Sequence, residues 1–389
     1  MRIVICGDTH IGAIFGLGAY TKNGGNTRID DYEKTLNYIV DYAIENNVDA
    51  FIQTGDAFDS RTPAPEHMNV LNRAIKKLSR ANITSIVIMG NHDYRRTGES
   101  FTSAISSLAC KDYPNVRLIL EPEVLKFYDK NNGNTQIVLI PYRDRRMYSG
   151  KTTEEDSNLY QQEVFSLLKE CDEESPTVVI GHNFYYNGSY NDYGGTEILA
   201  KLDTFEKCDM VVMGHYHEFK IVKKKPPAVY IGSMEKINFG DEHVDKFFID
   251  YDAATKQTKV LKCPSRQLQD ESIDLSECSY LDLDLKLKNK IKDLELKDKI
   301  TRLKIAIKDN LAASIKKSEV ERLLYDQGAF FVSKVIIEPI ITRIIRDDAI
   351  LQHKDDYSMF RAFLESQENM DSDDVVVILS EAKKIIDGG

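Results

Sequence analysis

Five short stretches carry the residues able to do chemistry. They are Gly7-Asp8-Thr9-His10, Gly55-Asp56-Ala57-Phe58-Asp59, Gly90-Asn91-His92-Asp93, Gly181-His182 and Gly214-His215-Tyr216-His217. Each sets carboxylate, amide or imidazole groups directly after an apolar run, and five of the chain's eight histidines lie in them. Asp8, Asp56, the Asn91 amide oxygen and the imidazoles of His10, His182, His215 and His217 offer hard oxygen and imidazole nitrogen without thiolate. That mixture suits Mn²⁺, Fe²⁺ or Zn²⁺ better than Ca²⁺ or Mg²⁺. Seven donors are too many for one ion and fit two ions with a bridging carboxylate. Two metals roughly 3.5–4 Å apart can generate a hydroxide and brace both sides of an in-line phosphoryl displacement. His92 is surplus to the donor count and can move a proton. Beside it, Asp93 either orients the imidazole or caps a helix starting near Tyr94. Asp59 belongs either to the phosphate side of the site or to a turn.

These stretches have to end on one edge. In an open α/β sheet the loops at the carboxyl ends of the strands gather where ligands bind, and glycine lets the backbone turn sharply there. Short apolar runs predict strands at 3–6, 49–53, 83–89, 116–120, 136–140, 177–180 and 210–213, with a closing β run at 219–222, 228–231 and 246–251. Apolar residues at helical period predict helices over 31–46 (Leu36, Ile39, Val40, Ala43) and 65–80 (Met68, Leu71, Ile75, Leu78), and a charged helix near 163–169. The result is an α/β layered domain with a central sheet and helices outside.

From residue 262 the character changes. Residues 281–299 mix Leu, Lys and Asp, with strand-like alternation at Leu281, Leu283, Leu285 and Leu287. Strands are expected at 302–307 and 330–337, with a helix over 318–326 capped by Ser318 and ended by Gly328. Two short helices follow, 356–366 with Tyr357, Phe360, Phe363 and Leu364, and 373–386 with Val376, Leu379, Lys383 and Ile386, joined by the polar run 367–372. The aromatic stripe of the first is either a partner surface or intramolecular core. Three segments are expected: 1–262, 263–347 and 348–389.

The chain has 389 residues, 42% hydrophobic and 29% charged, the profile of a globular protein. No apolar run approaches the roughly 20 residues that cross a bilayer, and the N-terminus runs straight into a strand instead of a signal peptide. The six cysteines are scattered with no C-x-x-C pair, which reads as reduced thiols of an intracellular, cytoplasmic protein. A net charge of −11 argues against a globally basic nucleic-acid binder. It leaves room for an enzyme that meets DNA through metal ions, a local basic groove or a partner protein. Arg143, Arg145 and Arg146 are the expected DNA contacts, Lys223-Lys224-Lys225 a solvated hairpin end, and His67, His243 and His353 ordinary surface residues.

The five stretches, in this order, resemble the motifs of the calcineurin-like metallophosphoesterases. Within that superfamily the chain is similar to the SbcD group of DNA-repair nucleases, the bacterial and phage counterparts of the eukaryotic meiotic-recombination nuclease subunit. Asp56-Ala57-Phe58-Asp59-Ser60-Arg61 with Pro63 and Pro65, and Tyr230-Ile231-Gly232-Ser233-Met234-Glu235 through Phe239-Gly240-Asp241, are similar to the group's segments after the second and last motifs. Strong resemblance runs from residue 1 to about 252; the C-terminal third matches in layout.

The resemblance implies a metallophosphoesterase sandwich with a small α+β capping domain that binds DNA and a C-terminal helical pair. It implies a Mn²⁺-dependent nuclease, with Mg²⁺ or Fe²⁺ as alternatives, that acts as an exonuclease on double-stranded ends and an endonuclease on single strands. Asp8, His10 and His217 would hold one ion and Asn91, His182 and His215 the other, with Asp56 bridging. His92 would protonate the leaving 3′-oxygen, oriented by Asp93. Asp59 is a departure, since some relatives carry a histidine there. Expected partners are a second copy, through the helices after 31 and 65, and an SbcC-type coiled-coil ATPase gripped by Tyr357, Phe360, Phe363 and Leu364. A phage-encoded chain would work in the host cytoplasm.

Two rivals are weighed against this. A protein phosphatase or cyclic-nucleotide phosphodiesterase could use the same site, but phosphoprotein phosphatases carry Gly-Asp-x-Val-Asp-Arg-Gly where this chain has Gly-Asp-Ala-Phe-Asp-Ser-Arg. A single-domain phosphodiesterase would not need about 135 further residues. A non-catalytic scaffold would be expected to have lost at least one donor.

Overall fold

The structure is a computed structural model that describes residues 1–14, 16–22, 25–97, 100–108, 113–128, 134–186, 198–340 and 355–365, with 375, 378–380 and 382–383 beyond them. Two six-stranded sheets pack face to face. In spatial order the first is Gln257–Lys262, Phe247–Asp252, Arg2–Cys6, Ala50–Gln53, Thr84–Ile88 and Val116–Ile119, its last four strands parallel. The second is Lys220–Lys224, Pro227–Tyr230, Met210–Met213, Thr177–Gly181, Thr135–Ile140 and Glu123–Phe127, its middle four strands parallel.

Successive side chains of a strand face opposite ways, and both faces here are apolar. Ile3, Ile5, Ile52, Ile86 and Ile88 meet Ile137, Leu139, Val178, Ile180, Met210 and Val212 between the sheets. Val4, Cys6, Phe51 and Val87 cover the helices Thr27–Glu45 and Pro65–Arg80. Val138, Ile140, Val179, Val211 and Met213 cover Thr153–Lys169. The order is helix, sheet, sheet, helix, the layered α/β sandwich that the resemblance implies, with two sheets where the strand pattern alone predicts a central sheet. An apolar run marks a strand as buried on both faces without saying which strand pairs with it.

Cys6 stands opposite Gln53 and Gln53 opposite Val87, while Met213 stands opposite Gly181. Loops leaving these positions therefore emerge side by side at one edge. A third, parallel sheet of Leu268–Asp274, Ile300–Lys308 and Phe331–Ile340 carries the helices Leu283–Lys292 and Lys317–Asp326. It meets the first unit through Leu17, Leu268 and Ile300. Arg266, which pairs with Asp31 at 2.7 Å and lies 3.6 Å over the Phe330 ring, adds to that contact.

Several expectations change. The first helix begins at Thr27, because the Asn26 side chain accepts a hydrogen bond from the Arg28 amide. The charged helix begins at Thr153, capped by Thr152. The alternating leucines lie on a helix: Leu283, Leu287 and Ile291 are buried one turn apart, and Leu281 and Leu285 are exposed. Ser318 is no cap, since its helix starts at Lys317. Gly328 does end that helix, at φ +96°. The hairpin Tyr94–Thr97 and Ser100–Ser103 and the strands Glu123–Phe127, Gln257–Lys262 and Leu268–Asp274 carry too many polar residues to announce themselves. Near the C-terminus the helix Asp356–Glu365 is present, while most of 373–386 and the run 367–372 lie outside the described residues. Among the described residues no helix is long and apolar enough to cross a membrane.

Candidate metal centre

The parallel strands of both sheets deliver the chemical residues to one edge. Arg2–Cys6 leads to Asp8 and His10, Ala50–Gln53 to Asp56, and Thr84–Ile88 to Asn91 and His92. From the other sheet, Thr177–Gly181 leads to His182, and Met210–Met213 to His215 and His217. His10, Asp56 and His215 have φ of 41°, 48° and 79°. Such left-handed non-glycine residues cost about 1–3 kcal/mol each and collect where a site over-determines them. Two glycines are required by close approach. A Cβ on Gly55, itself at φ +123°, would lie 2.2 Å from His182 Nδ1, and one on Gly90 would lie 2.1 Å from the Asp56 amide nitrogen.

The expected donors form two overlapping groups, Asp8, His10, Asp56 and His217, and Asp56, His182 and His215, and a third group of His10, Asp59 and His92 adjoins the first; the donor atoms of each group all lie within 4.8 Å of one another. Asp56 belongs to the first two. Its Oδ2 lies 3.4 Å from His10 Nε2 and 3.3 Å from His182 Nε2. Asn91 Oδ1 joins the second group, 3.0 Å from His182 Nε2 and 2.7 Å from His215 Nδ1. His182 Nδ1 lies 3.1 Å from the Thr54 carbonyl, a geometry in which Nδ1 holds the proton and Nε2 points its lone pair at the centre. Asp8 is aimed by the His215 amide at 2.7 Å and the Thr54 hydroxyl at 3.2 Å.

The residues fit divalent cations. Among the described residues, neither ring nitrogen of His10, both buried, has a hydrogen-bond partner. Asp8 and Asp56 are buried too, and their main opposite charges are imidazoles. Burial, with the Asp56 charge, pushes the Asp8 carboxyl up to about 6 against the pull of His182 and His10. Burial also pushes Asp56 up, but His182, His10 and His92 outweigh it and hold that carboxyl well below the usual range. Burial opposes a charged His182, yet Asp56 and Asp8 raise its pKa to about 9. Burial first, then His182, lowers His215 to about 3; burial first, then His10, lowers His217 to about 4. His215 and His217 are thus neutral donors near pH 7, and a bound cation would displace the His182 proton.

His92 stands beside the two groups. Its amide donates to Asp56 Oδ1 at 2.7 Å, and its ring lies 4.8 Å from that of His10. Its Nδ1 is 2.8 Å from the carbonyl oxygen of Asp59, which leaves Nε2 as the outward nitrogen. Asp93 plays neither expected part. No helix follows it, and its carboxylate accepts from the amides of Gly90 and Ala57 at 3.0 Å and of Phe58 at 3.2 Å. It stitches two motif loops together while the Asp59 backbone orients His92. Asp59 also reaches the site with its side chain, Oδ1 lying 3.5 Å from His10 Nδ1. Thr54 and the Asp59 carbonyl were not legible in the sequence, because a backbone acceptor has no residue signature.

The remaining candidates divide. Arg143 is buried and pairs with Glu121 at 2.6 Å and Glu163 at 2.7 Å, so its charge is largely balanced within the chain. Arg145 pairs with Asp156 at 2.8 Å, and Arg146 pairs with Asp144 at 2.6 Å while remaining exposed. His67 is not a free surface residue: it packs on the first motif loop, where a Cβ on Gly12 would lie 2.5 Å from its Nδ1. His243 is exposed, and His353 lies outside the described residues. In the C-terminal helix Leu364 is already buried within this chain, Tyr357 and Phe360 are half-buried, and Phe363 is exposed. Lys383 Nζ sits 5.8 Å over the Tyr357 ring.

A sequence model of the calcineurin-like phosphoesterase family matches residues 1–219, more than half of the chain. The chain is similar to the DNA double-strand break repair protein Mre11 of Methanosarcina acetivorans, 24% identical over 345 residues, 86% of this chain and 50% of that protein. It is similar to Exonuclease subunit 1 of Enterobacteria phage T4, 24% identical over 262 residues, 67% of each. It is also similar to the SbcD component of the SbcCD nuclease of Escherichia coli, 24% identical over 265 residues, 62% of each. The chain therefore spans half the length of the first of these relatives and about two thirds of the other two.

Proposed function

Because the chain belongs to the calcineurin-like phosphoesterase family, we propose that it is the metal-dependent nuclease subunit of an SbcCD-type DNA repair, recombination and replication complex. It hydrolyses phosphodiester bonds at double-stranded DNA ends and within single strands. The observation that carries this is Asp56, shared by two donor groups, with the His92 amide donating to it and the His92 imidazole 4.8 Å from the His10 ring. The name of the Mre11 relative supports the choice of DNA as substrate, and the names of the other two support a nuclease.

Asp8, His10 and His217 would hold one cation, Asn91, His182 and His215 a second, and Asp56 would serve both. Two divalent cations, Mn²⁺ ahead of Mg²⁺ or Fe²⁺, supply Lewis acidity at the phosphate and a water of lowered pKa. His92 acts in its doubly protonated form: Nδ1–H is held by the Asp59 carbonyl, and Nε2–H passes its proton to the leaving 3′-oxygen, which leaves the neutral ring. Asp93 keeps the second and third motif loops in register, so that the His92 amide stays on Asp56. The Asp59 carboxylate faces the phosphate side beside His10, and Arg146 is the arginine left to meet a DNA phosphate.

Residues 1–262 form the nuclease domain, 263–347 a DNA-binding cap, and 348–389 the segment that grips a coiled-coil ATPase through Tyr357, Phe360 and Phe363. A second copy docks through Thr27–Glu45 and Pro65–Arg80, and the complex works in the cytoplasm. The test is digestion of linear duplex DNA with Mn²⁺, run beside cyclic nucleotides and a phosphopeptide. Cleavage of DNA alone is expected. Turnover of a cyclic nucleotide or phosphopeptide with DNA left intact would overturn the reading.

A further inference from the structure

The centre straddles two sheets. Asp8, His10, Asp56 and Asn91 follow strands of the first, and His182, His215 and His217 follow strands of the second. Whatever fixes the sheets against each other at this edge sets the donor spacing. Lys246 does this directly. It enters Phe247–Asp252 of the first sheet and is buried, and its Nζ donates to the backbone carbonyl of His217 at 2.9 Å. The same carbonyl accepts the Ser233 amide at 3.2 Å. The ammonium is balanced by Asp241, 3.2 Å away, whose other carboxylate oxygen accepts the Ile237 amide at 2.8 Å.

An ammonium taken out of water is costly, and replacing a whole buried ion pair by apolar groups of similar volume is often neutral or stabilising. A buried charge spent on one carbonyl of a donor residue points to geometry and not to stability.

We propose that Lys246 is a positioning residue for His217, holding the carbonyl of that donor from the opposite sheet. The proposal rests on the two-metal reading above. It separates the two ions at the residue level: Lys246 bonds the carbonyl of His217 itself, a donor of the group with Asp8 and His10, and among the described residues it makes no bond to Asn91, His182 or His215, although His215 lies two residues earlier in the same loop. Lys236 is the natural control. It is an equally buried ammonium nearby whose Nζ is bound by the carbonyls of Asp241, Glu242 and Val244 at 2.9, 2.6 and 2.9 Å and by no metal donor.

The test is calorimetric titration of the full chain with Mn²⁺, with thermal unfolding alongside. Wild type should take up two ions. Lys246→Met should keep one at wild-type affinity and bind the other about 10–100-fold more weakly, the usual effect of removing a group that orients a ligand. Lys246→Arg, which still donates to the carbonyl, should restore the weak ion to within a few-fold, and Lys236→Met should lower the melting temperature without splitting the two affinities. Should Lys246→Met fail to fold, Lys246→Gln carries the same test. Equal weakening of both ions, no weakening, or the same split in Lys236→Met would overturn the proposal. A wild-type chain that binds fewer than two ions overturns the two-metal reading and this proposal with it. Two ions in wild type and no split in the variant overturn this proposal alone.

Discussion

Replacing Arg28 with Met should destabilise the chain by about 3 kcal/mol at pH 8, the lower end of the loss for breaking a buried ion pair. Arg28 is fully buried. It bonds Asp31 at 3.1 Å, Glu235 at 3.0 Å and the Lys236 carbonyl, and lies 4.9 Å from the Tyr32 ring centroid. The low end applies because neither carboxylate is abandoned. Asp31 keeps Arg266 at 2.7 Å, and Glu235 keeps the Thr35 hydroxyl at 2.5 Å and the Arg266 amide at 3.2 Å. Burial already raises the Glu235 carboxyl above its usual value of 4.5, with Arg28 the chief opposing charge, so Arg28→Met raises it further. A carboxyl whose folded pKa exceeds its unfolded pKa binds more protons when folded. Stability is therefore lost as pH rises from the unfolded pKa through the folded one, and the variant should regain stability on acidification from pH 8 to 5.5. Arg28→Met with Glu235→Gln removes both charges and should recover most of the loss, with little dependence on pH. The chain has no tryptophan, so urea unfolding in EDTA is followed by far-UV circular dichroism. A loss below about 1 kcal/mol, an equal loss at both pH values, or a double variant as weak as the single one would refute the reasoning.

Asp56→Ala should abolish uptake of both ions in equilibrium dialysis, because its carboxylate serves both groups; retention of one tight ion would show that it does not bridge. His92→Gln should keep two ions and lower DNA cleavage by about 10²–10⁴-fold, the range for a lost general acid; lost metal in this variant would make His92 a ligand. Asp93→Ala orphans three buried amides and should cost about 3 kcal/mol or more in urea unfolding. Its residual activity should keep the wild-type pH profile, whereas a shifted profile would return to Asp93 the task of tuning His92. A chain ended after residue 348 should keep metal-dependent cleavage and lose co-purification with the ATPase; undiminished binding would place the partner surface elsewhere.

That the seven expected donors and His92 gather at one edge was legible because their signal is local: an apolar strand, a turn and a polar group in a fixed chemical grammar. The same locality made Asp93 misleading. Next to His92 in sequence, it is well placed to orient that ring or cap a helix, but its side chain turns inward to three amides. Arg143 misled for a related reason. Three arginines in four residues look like a basic patch until Glu121 and Glu163, both distant in sequence, are seen to neutralise one of them.

Residue type and spacing by themselves determined the α/β class, the strand-end placement of the chemistry and the nature of the donors, because each depends on neighbours within a few positions. Which strands pair, and that they form two sheets, was decided only by tertiary structure, since an apolar run is equally satisfied against any apolar layer. The same holds for the carbonyl of Asp59 on His92 and for Lys246 on the carbonyl of His217, 29 residues away. A backbone oxygen is common to every residue, so only the fold selects which one a side chain meets.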